Sequence, residues 1–134
     1  FTPGVDEYLR STTTGNKDYG EGDERPGYYR FDTLCEGEYI LRIDPANFAE
    51  GGPLAKRMSV PGSPDPDDDV NGDDNGSPLT DIGVVSRAVT LIPGTEPVDD
   101  GDDDANTNLT VDFGFCRESA PDPECPGCRP MKPF

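Results

Sequence analysis

The residues of this 134-residue chain that are most ready for chemistry are carboxylates at alternate positions. Asp67-x-Asp69-x-Asn71-Gly72 has the spacing of the first half of an EF-hand calcium loop, and Asp69-x-Asn71-x-Asp73 carries it one step further. A second acidic stretch repeats it as Asp100-x-Asp102-x-Asp104-x-Asn106. Alternation presents side-chain oxygens to one side of an extended chain, which suits a hard cation that gathers about six to eight of them. The closing glutamate of an EF-hand falls on Pro78, so a true EF-hand is excluded. The second stretch places six acids within 96–104, and repulsion between neighbouring carboxylates costs stability unless something offsets it. Two readings stand side by side. One is a solvated acidic surface that aids solubility; the other is a Ca2+ site with candidate ligands Asp67, Asp69, Asn71, Asp73, Asp100, Asp102 and Asp104.

The four cysteines, Cys35, Cys116, Cys125 and Cys128, form an even set with three pairings open, as in a secreted chain. We expect Cys35–Cys116 to tie a hairpin to the end of the last strand, with Cys125–Cys128 local; the alternative pairs Cys116 with a tail cysteine. A zinc site would need every cysteine, since there is no histidine, and the prolines around Cys125-Pro-Gly-Cys128 argue against the helix a redox CxxC requires. Asn75-Gly-Ser77 and Asn108-Leu-Thr110 fit the N-glycosylation pattern, which also arises often by chance. The absence of histidine removes every Ser-His-Asp or Cys-His arrangement. Paired carboxylates could hydrolyse a glycoside, but with 28 acids some pair is always close and the pairing carries no information. No nucleophile with a base, phosphate loop or cofactor fingerprint is present, so no enzyme is expected.

The elements that must position these groups are sparse. Leu, Ile, Val and Phe number 25 of 134, Gly and Pro 31, and the net charge is −17, a composition that by itself describes disorder. That charge repels nucleic-acid phosphates and anionic headgroups, and no apolar run approaches the roughly 18 residues of a membrane span. The order of the residues overturns the disorder. Four windows, 28–34, 39–43, 82–91 and 109–115, hold 14 of the 25 large apolar residues, largely at period two, as half-buried strands do. Cys-Glu-Gly-Glu at 35–38 has the length of a hairpin turn, the threonines of 8–14 favour a weaker strand, and Pro45 opens one short helical turn that Gly51-Gly52-Pro53 ends. The fold class expected is all-β, a small sandwich over 1–116, followed at 117–134 by a Pro- and Cys-rich extended tail. A chain opening at Phe1 without methionine reads as a processed or excised piece.

Taken together, Gly27-Tyr-Tyr-Arg-Phe-Asp-Thr-Leu-Cys-Glu-Gly-Glu-Tyr-Ile-Leu-Arg-Ile, the block 65–76, Val89-Thr-Leu-Ile-Pro-Gly-Thr-Glu-Pro and Asn106-Thr-Asn-Leu-Thr-Val-Asp-Phe-Gly-Phe resemble a known pattern. It is that of the B-type repeat domains of serine-aspartate-repeat and collagen-adhesin surface proteins of bacteria. The resemblance covers roughly residues 5–116. It implies a prealbumin-like or immunoglobulin-like sandwich serving as an extracellular, cell-surface stalk, with Ca2+ commonly bound. Two departures matter. The family's first strand and its Asp/Asn-rich loop are absent, which leaves an open edge that the C-terminal arm of a neighbouring copy can fill by strand addition. None of Lys17, Lys56 and Lys132 sits in a matching isopeptide motif. The expected function is therefore a structural module, disulfide- and Ca2+-stabilised, that assembles with copies of itself into a head-to-tail filament. The alternative is an adhesin-type module that binds carbohydrate or a host or matrix protein through its acidic loops or through Tyr8, Tyr19, Tyr28 and Tyr29.

Overall fold

The computed structural model describes residues 1–18, 20–60 and 64–117; Tyr19, Cys125, Cys128 and the tail from 118 onward lie outside the described residues. The chain divides into two compact units, Thr2–Cys35 and, with Phe1, Glu36–Phe134. Among the described residues all regular structure is antiparallel β apart from one 3-10 turn, so the fold is all-β. No helix among the described residues is long and apolar enough to cross a membrane.

In the first unit, β1 (Gly15–Asp18) and β2 (Glu24–Tyr28) form a hairpin with Lys17 opposite Arg25. The turn is set by Gly20, Glu21 and Gly22, all at positive φ, and by the Gly20 N–H donating to Asp18 Oδ1 at 2.8 Å. The threonines of 8–14, expected in a weaker strand, are exposed and outside the ladder. The expected strand at 28–34 ends at its first residue. Thr33 takes a positive φ of 57°, which a continuing strand does not permit.

The second unit holds β3 (Gly37–Ile43), the 3-10 turn Pro45–Phe48, β4 (Arg57–Ser59), β5 (Ser77–Leu79), β6 (Gly83–Leu91) and β7 (Phe115–Arg117). One sheet has the order β3-β6-β5, and β4 pairs with β7 in another. Residues 39–43 thus pair with β6 rather than with a hairpin partner at 28–34. Val84, Val85 and Val89 of β6 and Cys116 of β7 are the buried apolar core, each of the valines contributing roughly 1.5–3 kcal/mol by its burial. The β3–β6 register shifts between Ile40 and Arg42. At that bulge the Leu41 N–H donates to Ser86 Oγ (3.0 Å), so a buried hydroxyl stands in for a ladder carbonyl and is itself satisfied by donating to Arg87 O. Asp44 caps the 3-10 turn through the Ala46 N–H, and the turn docks Phe48 on Phe115 with ring centroids 5.7 Å apart.

The window 109–115 is the instructive departure. Only Phe115 lies in a strand, because most N–H groups before it go to side chains instead of a neighbouring backbone. Leu109 N donates to Asp100 Oδ2 (2.6 Å), Thr110 N to Asn108 Oδ1 (3.0 Å), Asp112 N to Asn75 Oδ1 (2.8 Å) and Gly114 N to Asp74 Oδ1 (3.0 Å). The carbonyls of Asp112 and Gly114 do meet backbone, accepting from Asn75 N (2.9 Å) and Val60 N (3.1 Å).

Candidate metal centre

Each acidic loop is anchored by its own carboxylates before any cation is considered. In the first, Asp67 grips the end of β6: Thr90 N donates to Oδ1 at 2.7 Å and Thr90 Oγ1 to Oδ2 at 2.8 Å. Asp65 pairs with Arg87 at 3.3 Å, while Asp69 and Asp74 turn the chain at φ near 60°. In the second, Glu96 receives the Ile92 N–H on one oxygen (2.7 Å) and the Asn108 amide on the other (3.1 Å). Asp102 and Asp104 are spent on short-range turns, accepting from Asp104 N and Thr107 Oγ1 and from Asn106 N respectively.

Between the loops lies a cleft of about 320 Å³ lined by Asp67, Asp69, Thr90, Ile92, Thr95 and Glu96. Desolvation, and then the negative charges of Glu96, Asp67, Asp68 and Asp100, push the Asp69 carboxyl above its ordinary value. Asn71 reaches from the first loop to the second, donating its amide to Asp100 O at 3.4 Å. A second group of acids forms below it. Gly72 N donates to Asp112 Oδ2, and burial followed by the nearby Asp73 and Asp74 charges raises Asp112 despite that bond.

Three carboxylate oxygens in this region, Asp73 Oδ1, Asp74 Oδ2 and Asp100 Oδ1, are buried with no hydrogen-bond donor, and Asp100 as a whole is only 8% exposed. Buried acceptors of one charge without donors are costly, and water or a hard cation would satisfy them; Asn75 Nδ2 is a buried donor likewise without a hydrogen-bond partner. The donor set is all oxygen and fits Ca2+ in kind. Among the described residues no group of three or more His, Cys, Asp or Glu side chains is gathered around one point to hold a metal ion.

The seven residues expected as ligands are thus distributed over three settings. Asp67 and Asp69 share the cleft, Asp73 and Asp100 carry orphaned oxygens, and Asn71, Asp102 and Asp104 hold the loops together. Sequence reasoning missed Glu96 as a wall of the cleft and Asp74 and Asp112 as members of the second group. Asp112 alternates with Val111 and Phe113 and so reads as the outward residue of a strand; no signal short of the fold places it among acids.

The described residues do not show the expected Cys35–Cys116 bridge. Cys35 is exposed and ends the first unit, before β3 begins, whereas Cys116 is 2% exposed in β7, its Sγ 3.8 Å from Met58 O. Pairings that involve Cys125 or Cys128 lie outside the described residues. Of the two glycosylation triplets, Asn75 is 1% exposed and Asn108 is half-buried against Glu96. Tyr8 is 77% exposed.

Comparison of the chain with protein-family models, with curated proteins and with solved structures returns no match.

Proposed function

We propose that the chain is a non-catalytic structural module of an extracellular, cell-surface protein, an immunoglobulin-like or prealbumin-like sandwich whose acidic loops take up Ca2+. The observation that carries this reading is the set of buried carboxylate oxygens without donors on Asp73, Asp74 and Asp100. In it, Ca2+ would be held by the carboxylates of these loops, the orphaned oxygens of Asp73, Asp74 and Asp100 first, and would draw them together, since among the described residues no three acids are gathered around one point without it. A cation there would supply charge neutralisation and rigidity, as in other modules whose Ca2+ binding couples to folding. Self-association through strand addition belongs to the same reading and is supported by the sheet order, which leaves the seven-residue β3 at an edge among the described residues.

The test is calorimetric titration of chelator-stripped full-length protein with Ca2+. A saturable heat that is abolished by the double substitution Asp73→Asn, Asp100→Asn is expected. Absence of binding up to millimolar Ca2+ would remove the cation from the function.

A further inference from the structure

The chain contains two Asn-Gly dipeptides four residues apart, Asn71-Gly72 and Asn75-Gly76, and the fold treats them differently. Asn-Gly is the dipeptide most open to intramolecular attack, because a glycine nitrogen meets no side chain as it closes on the asparagine carbonyl carbon. We infer that Asn71 is a site of spontaneous covalent modification, converted to aspartate and isoaspartate in the folded protein, with Asp112 as the proton carrier.

At Asn71 the side chain's bond to Asp100 O is long, at 3.4 Å, and must break for the ring to close; the rest of the chemistry is in place. Both Asn71 and Gly72 are exposed, and Gly72 sits at φ 83° with open space where a Cβ would be. The Gly72 N–H donates to Asp112 Oδ2, so a carboxylate is already on the proton that must leave. Gly72 N attacks Asn71 Cγ, and its proton passes to Asp112 as the N–C bond forms. Asp112 then returns that proton to the departing side-chain nitrogen, the Cγ–Nδ2 bond breaks, and ammonia leaves a five-membered succinimide. Water, which reaches this exposed turn, opens the ring at either carbonyl, giving aspartate or isoaspartate.

Asn75 shows why the dipeptide alone is insufficient. Its neighbour Gly76 also donates to a carboxylate, Asp74 Oδ1 at 3.1 Å. The side chain, however, is 1% exposed and fixed by the Asp112 N–H on Oδ1. At Gly76 a Cβ would lie 2.9 Å from both Phe113 and Val84, so the backbone has no room to swing. Ring closure needs rotation at both residues, and water to finish the reaction. Neither is accessible there. The product at position 71 is an added carboxylate beside Asp100, and in the isoaspartate form an extra backbone carbon that moves Gly72 away from Asp112.

Peptide mapping by mass spectrometry on full-length protein aged at neutral pH, with fragmentation that separates aspartate from isoaspartate, tests this directly. Folded protein should gain the acid at Asn71 while Asn75 keeps its amide, and in urea the two should convert at similar rates. Asp112→Asn should slow Asn71 by about tenfold or more in the folded state, the scale of a positioned general base, and leave the urea rate unchanged. If that variant does not fold, conversion of its Asn75 reveals it, and the wild-type comparison decides alone. Equal rates at the two sites in folded wild-type protein would overturn the inference, as would a folded Asp112→Asn variant that ages like wild type.

Discussion

Asp67 shows at the scale of one residue what the acids do by themselves. It closes two hydrogen bonds on Thr90 and so ties the first acidic loop to the end of β6. Asp67→Ala should therefore destabilise the metal-free protein by about 1–2 kcal/mol, read as a lower urea midpoint at unchanged slope; bonds to a charged group are worth somewhat more than that when buried, and this one is exposed. Asp69 and Asp112 act in the opposite sense. Burial and like charge raise both above the ordinary aspartate value of about 4, so between the unfolded and folded values the native state binds more protons than the unfolded one. Their contribution to stability is thus lost as pH rises from about 4 through the raised values. Metal-free protein should lose stability over that interval in urea titrations at stepped pH, and Asp112→Asn should flatten the slope. The alternating acids were legible in the sequence. Their division of labour was not, because whether a carboxylate faces a backbone N–H, another acid or a cleft depends on loops about thirty residues apart along the chain coming together, as Asn71 and Asp100 do.

Among the elements, β6 was read nearly to its ends, and the reason is physical: Val84, Val85 and Val89 are large, β-branched and buried, so local propensity and tertiary burial agree. The short turn at Pro45 was legible for a similar reason, since Asp44, Pro45 and the following glycines are local signals. β4 and β5 carry three residues each with little apolar content, and nothing local announces them. Residues 109–114 have the alternation of a strand and are denied one by side-chain acceptors, Asp74 and Asn75 from far along the chain and Asp100 and Asn108 from nearby. Two positions test the strand packing. Gly83 lies at φ 106° with a would-be Cβ 2.1 Å from Ile43 O, so Gly83→Ala should cost more than about 3 kcal/mol and separate β3 from the start of β6. Ser86→Ala leaves the Leu41 N–H at the bulge without its acceptor and should cost about 1–3 kcal/mol. Both are read by thermal or urea unfolding, and a Gly83→Ala protein as stable as wild type would contradict the packing described.

For the whole molecule the governing fact is the charge of −17, much of it in two loops that the fold uses as structural partners of 109–114. Composition alone described a disordered chain; the concentration of a few apolar residues in strands was enough to specify an all-β fold, and the acids complete it. A molecule built this way should be held together by what neutralises its loops. If copies add strands across the β3 edge, sedimentation should show association that grows with Ca2+, since self-repulsion opposes it in chelator. The most direct measurement is the melting temperature of full-length protein in excess EDTA and in Ca2+ at one hundred times the dissociation constant. Binding to the folded state alone adds about 2.7 kcal/mol there. For a chain of this size that corresponds to a rise in Tm on the order of 10 °C, which Mg2+ at the same concentration should not reproduce in full. Superimposable melts in EDTA and Ca2+ would contradict a cation-dependent module.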